Sequence, residues 1–150
     1  ISGFGILCLE VLYTRMFSLV LHNSVYTFGA VVAVFLLALS LGAAVAVRLG
    51  RRWTPRRVVT ASFSLGGLAL AASVAAFPGA TGLSYFSSGE TFSGYLAGAF
   101  ALVAVFVLPP VVLLGMTLPA AIQAASGGRA VGRVTAVKTL AGAVGAIAAG

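Results

Sequence analysis

Three charged side chains lie inside apolar runs of this 150-residue chain: Glu10 and Arg15 near its start and Lys138 near its end. Acids able to move protons are scarce, since Glu10 and Glu90 are the only two and aspartate does not occur. A paired-carboxylate acid–base site therefore finds one carboxylate in an apolar run, not two. The lone cysteine, Cys8, and the lone histidine, His22, give neither an internal disulfide nor metal-ligand spacing. No Gly-x-Gly loop falls between a strand and a helix, and no nucleophile–base pair or phosphate loop can be assembled. Catalytic residues, cofactor ligands and metal ligands are thus expected to be absent from residues 1–150. What remains to the three charges is electrostatics. Each costs roughly 2.5–3.5 kcal/mol at mid-bilayer, so each should face protein or water and find a partner.

Glu10 and Arg15 are five residues apart, about 140° around a helix, and do not share a face. Depth points to another partner for Glu10. At 1.5 Å per residue it lies about as far above the start of its helix as Lys138 does above the start of the last one. A Glu10–Lys138 pair is expected, with Arg15 nearer the opposite surface and Tyr13, Thr14 and Gln123 as polar company. Such a pair either locks two helices or forms a gate or site for a charged solute. Glu90 reads as a solvated loop residue and His22 as an interfacial turn residue.

The elements that must hold these residues follow from composition. The chain is 61% hydrophobic and 7% charged, with 19 glycines. Soluble domains carry roughly a quarter charged residues, so a water-soluble globule is excluded, and so is disorder. The net charge of +7 would point to nucleic acid in a soluble protein. Here the basic residues flank apolar runs, and the anionic face of a bilayer is the expected partner, not nucleic acid. The runs predict an all-α integral membrane bundle of about five transmembrane helices, at 1–22, 25–47, 58–77, 95–125 and 130–150. One transmembrane domain fills the sequence. It begins at Ile1 and stops at Gly150 within a helical pattern, which reads as a fragment truncated at both ends.

Arg48, Arg51, Arg52, Arg56 and Arg57 fall within ten residues and cannot lie in hydrocarbon. Basic loops favour the cytoplasm, so this loop and the Arg129/Arg133 link are expected inside. The chain then reads as a multi-pass protein of the cell's inner (plasma) membrane with a cytoplasmic N-terminus. Small residues recur every four positions at Gly42/Ala46/Gly50, Gly94/Gly98, Gly142/Ala146/Gly150 and Ala141/Gly145/Ala149. They let backbones approach where lipid supplies little hydrophobic drive, and predict a central last helix. Pro78-Gly79 is expected to stop the third run. Pro109-Pro110 and Pro119 are expected to break the fourth, because each proline removes a backbone donor. Broken helices often line transporter sites.

Several stretches together resemble a known family. Gly5-Ile6-Leu7-Cys8-Leu9-Glu10-Val11-Leu12-Tyr13-Thr14-Arg15-Met16-Phe17-Ser18-Leu19 is similar to the opening of fused major-facilitator/spermidine-synthase-like membrane proteins. Asn23–Phe28 resembles their outer turn, and Phe35–Gly42 their second helix. Leu108–Pro119 resembles their Pro-x-x-Leu-hydrophobic-Gly-x-Thr-hydrophobic-Pro segment. Gly132–Gly145 resembles a Gly-x-x-Tyr-Ala-x-Asn-Thr-x-Gly-x-hydrophobic-Gly pattern, with Thr135 in the place of Tyr and Lys138 in the place of Asn. Arg48-Leu49-Gly50-Arg51-Arg52 is similar to the basic end of the facilitator loop between helices two and three, with Val47 where that motif has Asp.

The resemblance implies a facilitator-like membrane domain joined, in the complete protein, to a spermidine-synthase-like domain. That class transfers an aminopropyl group from decarboxylated S-adenosylmethionine to putrescine, using an aspartate base that this chain lacks. The expected role is therefore to anchor, or supply, a polyamine-related aminopropyltransferase-like domain lying outside the fragment. Half of a facilitator-type transporter for a small solute, cations included, is the second expectation. A non-transporting helical scaffold is the third. The expected partners are the bilayer, the remaining helices, a soluble domain of the same chain, and a small-molecule solute.

Overall fold

The computed structural model describes residues 2–21, 25–84, 91–124 and 128–149. All regular structure in them is helical: α1 (Ser2–Ser18), α2 (Val25–Leu49), α3 (Pro55–Thr81), α4 (Phe92–Gly115), α5 (Thr117–Ala124) and α6 (Gly128–Ala149). Three stretches among the described residues are long and apolar enough to cross a membrane: Val25–Leu49, Pro55–Thr81 and Phe92–Ala124, the last combining α4 and α5. The His22–Ser24 turn, Glu90, Ala125 and Gly150 lie outside the described residues, as does the side chain of Arg129.

Side-chain contacts fix the helix directions. Tyr26 meets Phe92 near the starts of α2 and α4, and Gly42 lies against Val112 and Gly115 near their ends, so these two run parallel. Val58 packs with Met116 and Ala120, while Phe77 meets Phe106, so α3 runs antiparallel to α4. On α1, Tyr13 bonds Ser73 and Phe17 stacks edge-on to Phe77, so α1 runs with α3. Gly3 abuts Lys138 and Cys8 reaches Gly145, so α6 runs with α1 as well.

Two kinds of packing hold the helices together. A core of large side chains joins α1, α3 and α4 through Tyr13, Phe17, Phe77 and Phe106, all buried. Their rings lie at centroid distances of 6.2 Å (Tyr13–Phe17), 5.3 Å (Phe17–Phe77) and 5.4 Å (Phe77–Phe106). The last two are edge-to-face, the arrangement that the ring quadrupole favours. Elsewhere backbones touch. A Cβ on Gly42 would collide with the Val112 carbonyl, and one on Gly145 with the backbone of Phe4. The Gly42/Ala46/Gly50 stripe is thus an interface: Ala46 is buried with Val58, Met116 and Ala120, and Gly50 abuts Gln123.

Three sequence expectations need correction. Pro78 does not end α3, which continues to Thr81 and closes at Gly82 with φ 58° and its N–H on the Pro78 carbonyl at 2.8 Å. A proline costs one hydrogen bond, and near a helix end the last turn survives it. Pro109-Pro110 likewise lies inside continuous α4. The interruption of the fourth run falls at Met116 instead, between α4 and α5. There the Met116 N–H tightens onto the Leu113 carbonyl at 3.3 Å, and Pro119 supplies no donor toward Gly115. Finally, among the described residues α6 packs chiefly on α1 and is not central. Its small face meets α1, while Leu140 and Ile147 are 68% and 81% exposed on its outer side.

Candidate functional site

α1 carries most of the polar candidates, and helical spacing sends them to different neighbours. Tyr13 turns inward and is fully buried. Its hydroxyl is hydrogen-bonded to Ser73 Oγ at 2.6 Å, with either oxygen able to donate, and the Phe106 carbonyl lies within its reach at 3.3 Å as the Leu70 carbonyl lies within reach of Ser73 Oγ at 3.0 Å. The Phe106 carbonyl is four residues before Pro110, so the helix supplies it with no N–H. An unpaired carbonyl in an apolar interior is costly, and a phenol from a neighbouring helix relieves it. Of the two carbonyls that the proline pair frees in α4, Tyr13 thus satisfies the buried one at Phe106. Tyr13, Pro110 and Ser73 form one node across α1, α4 and α3. Ser73 was not among the sequence candidates. Its signal was modest: a hydroxyl residue in a long apolar run, four positions before Phe77.

Glu10 and Thr14 face the other way. With Leu7, Val11, Arg15, Phe28 and Ala146 they line a groove of about 460 Å³ between α1, the first turns of α2 and the end of α6. Glu10 is half-buried and Arg15 exposed. Thr14 Oγ1 donates to the backbone carbonyl of Glu10 at 2.8 Å, so its hydroxyl serves the helix, not the carboxylate. The groove is apolar apart from one carboxylate, one guanidinium and that hydroxyl.

The register of α6 separates Lys138 from this groove. Lys138 lies against Gly3, whereas Ala146 stands at the level of Glu10. Seven residues of α1 separate Gly3 from Glu10, about two helical turns or ~10 Å. The two charges are therefore staggered by about two turns and do not stand at one level, contrary to the expectation from depth. That expectation took α1 and α6 as level at their starts, whereas Lys138, ten residues beyond the start of α6, lies against Gly3, the second residue of α1. The seam between them carries a different contact, from Cys8 Sγ to the Gly145 carbonyl at 3.2 Å. Gln123 is also remote from Glu10. It sits at the end of α5 against Gly50, beside the arginine loop.

The arginines gather at one end of the bundle. Arg48 closes α2, Arg51 and Arg52 occupy the turn, and Arg56 and Arg57 open α3. The antiparallel course of α3 brings Val58 to Met116 and Ala120, so the start of α6 that follows α5 belongs to this same end, with Arg133 in its second turn. Among the described residues no group of three or more His, Cys, Asp or Glu could hold a metal ion. No family model, curated protein or solved structure matches the chain.

Proposed function

We propose that this chain is the facilitator-like membrane domain of a fused spermidine-synthase-like protein, and that it anchors or supplies an aminopropyltransferase-like domain elsewhere in the protein. The observation that carries the membrane reading is the alternation of directions. α1, α3 and α6 run one way, α2 and α4 the other, and the arginines that cannot enter lipid gather at one end. That pattern supports five crossings of the plasma membrane with the N-terminus and the arginine end cytoplasmic. The enzyme partnership rests on the ordered sequence resemblance, from the Glu10–Arg15 opening to the Gly132–Gly145 stretch.

Reporter fusions test the first part. A fluorescent protein fused after Trp53 should light up in cells, and alkaline phosphatase fused after Ser84 should be active; the reverse pattern removes the proposed orientation. Full-length protein in vesicles, supplied with putrescine and decarboxylated S-adenosylmethionine, tests the second. Formation of spermidine supports it, and its absence with correctly inserted protein removes it. The groove holding Glu10 favours one further reading, a pathway for a small solute through the same helices. Uptake of labelled polyamine into those vesicles without product formation would put transport ahead.

A further inference from the structure

α2 ends in a tightly wound turn. The Gly50 N–H reaches the Ala46 carbonyl at 2.9 Å, and the N–H groups of Arg52 and Trp53 both reach the Leu49 carbonyl, at 2.9 and 2.8 Å. Helix-like winding thus continues past Leu49. It carries Arg48, Arg51 and Arg52, spaced i, i+3 and i+4, to one side of the chain. With Leu49 and Trp53 they line a hollow of about 500 Å³. Among the described residues no acid lines it, and the chain's two acids stand at positions 10 and 90. Three like charges around one hollow repel each other unless an anion sits among them. Guanidinium forks match phosphate oxygens two at a time.

The surroundings distinguish a lipid phosphate from a free one. Leu41 and Val45 follow Leu49 back along α2 at four-residue spacing and are 46% and 36% exposed. They form an apolar track leading from the hollow into the Val25–Leu49 span. Trp53, half-exposed at the mouth, has the amphipathic ring that settles at headgroup level. A free phosphate gains nothing from such a track, whereas acyl chains cover it.

We propose that this hollow is a headgroup site for an anionic phospholipid, its phosphate held among Arg48, Arg51 and Arg52 and its chains lying along Leu41 and Val45. The site rests on the arginine end lying at the membrane surface, which the reporter fusions test separately, and it is independent of any enzyme domain. The test is native mass spectrometry of the full-length protein released from detergent with phosphatidylglycerol, phosphatidylcholine or inorganic phosphate. Phosphatidylglycerol should be retained in preference to phosphatidylcholine. Arg51→Gln with Arg52→Gln should weaken that retention about tenfold or more, since two of the three guanidinium forks that hold the phosphate are lost. Arg56→Gln with Arg57→Gln removes equal charge from the same loop but outside the hollow, and should leave retention unchanged. An equal loss in both double variants would mean diffuse attraction and overturn the site. So would an absence of headgroup preference, or displacement of the lipid by inorganic phosphate that itself stays bound. If the glutamine pair fails to insert, Arg51→Lys with Arg52→Lys keeps the charge that sets topology. Its phosphatidylglycerol retention should still fall, and undiminished retention would overturn the guanidinium geometry.

Discussion

α1 is held on its two sides by opposite means. Toward α3 and α4 it presents Tyr13 and Phe17, which interlock with Phe77 and Phe106 at ring distances of 5.3–6.2 Å. Toward α6 it presents Gly3 and the backbone of Phe4, which touch Lys138 and Gly145 with almost no side chain between them. On the membrane reading proposed above, both solutions serve the same need: with hydrocarbon around the helices whether or not they associate, association must come from dense contact and hydrogen bonds. Large rings achieve density by filling space and glycines by removing it. The first seam should therefore fail when volume is lost, and the second when volume is added.

The sharpest break of the comparison is Phe77→Ala, which opens a cavity between two edge-to-face rings. It should lower unfolding stability by about 3 kcal/mol or more in detergent denaturation, since Phe truncations in cores cost ~3–5 kcal/mol. A loss near zero would mean that the aromatic seam relaxes freely. Gly145→Leu makes the opposite change, because its side chain would run into the Phe4 backbone, which cannot rotate away. Overpacking of this kind costs about 1–3 kcal/mol, against little for Gly132→Leu, where a Cβ meets nothing within 4 Å. Equal effects at the two glycines would erase the distinction.

Tyr13→Phe keeps the ring and removes only the hydroxyl. The Phe106 carbonyl then has no donor, and stability should fall by about 1–3 kcal/mol. Hydrogen exchange should quicken in α4 around Pro110 while α6 is unchanged. The smallest effect concerns charge. Because Lys138 and Glu10 are staggered by two turns, Glu10→Gln and Lys138→Asn should combine additively, with a coupling energy within about 0.5 kcal/mol of zero. A larger coupling would mean that the long side chains bridge the stagger.

Much of the architecture is legible in the sequence. The uncharged run of α2, the arginine loop and the Gly42/Ala46/Gly50 contact all follow from composition and four-residue spacing. Three things do not. Whether a proline breaks a helix depends on who satisfies the carbonyl it frees, and for Phe106 the answer is Tyr13, 93 positions away in sequence. The level of Lys138 depends on the register between two glycine-faced helices, and a smooth seam leaves few knobs to declare it. The place of α6 depends on which of its faces finds a neighbour. Small residues around most of its circumference make several faces equally suitable.

The Tyr13 node has a consequence that comes from counting protons. Two hydroxyls, Tyr13 and Ser73, bring two hydrogens to four acceptor positions: the Phe106 carbonyl, the Leu70 carbonyl and the two hydroxyl oxygens themselves. In one arrangement Tyr13 serves Phe106 and Ser73 serves Tyr13. In the other, Tyr13 serves Ser73, which serves Leu70, and the carbonyl beneath Pro110 is released. Two hydrogen bonds are present in either case. Exchange between the arrangements therefore trades one partner for another at constant number, and α4 can be clasped or freed at its proline pair without any side chain leaving its place.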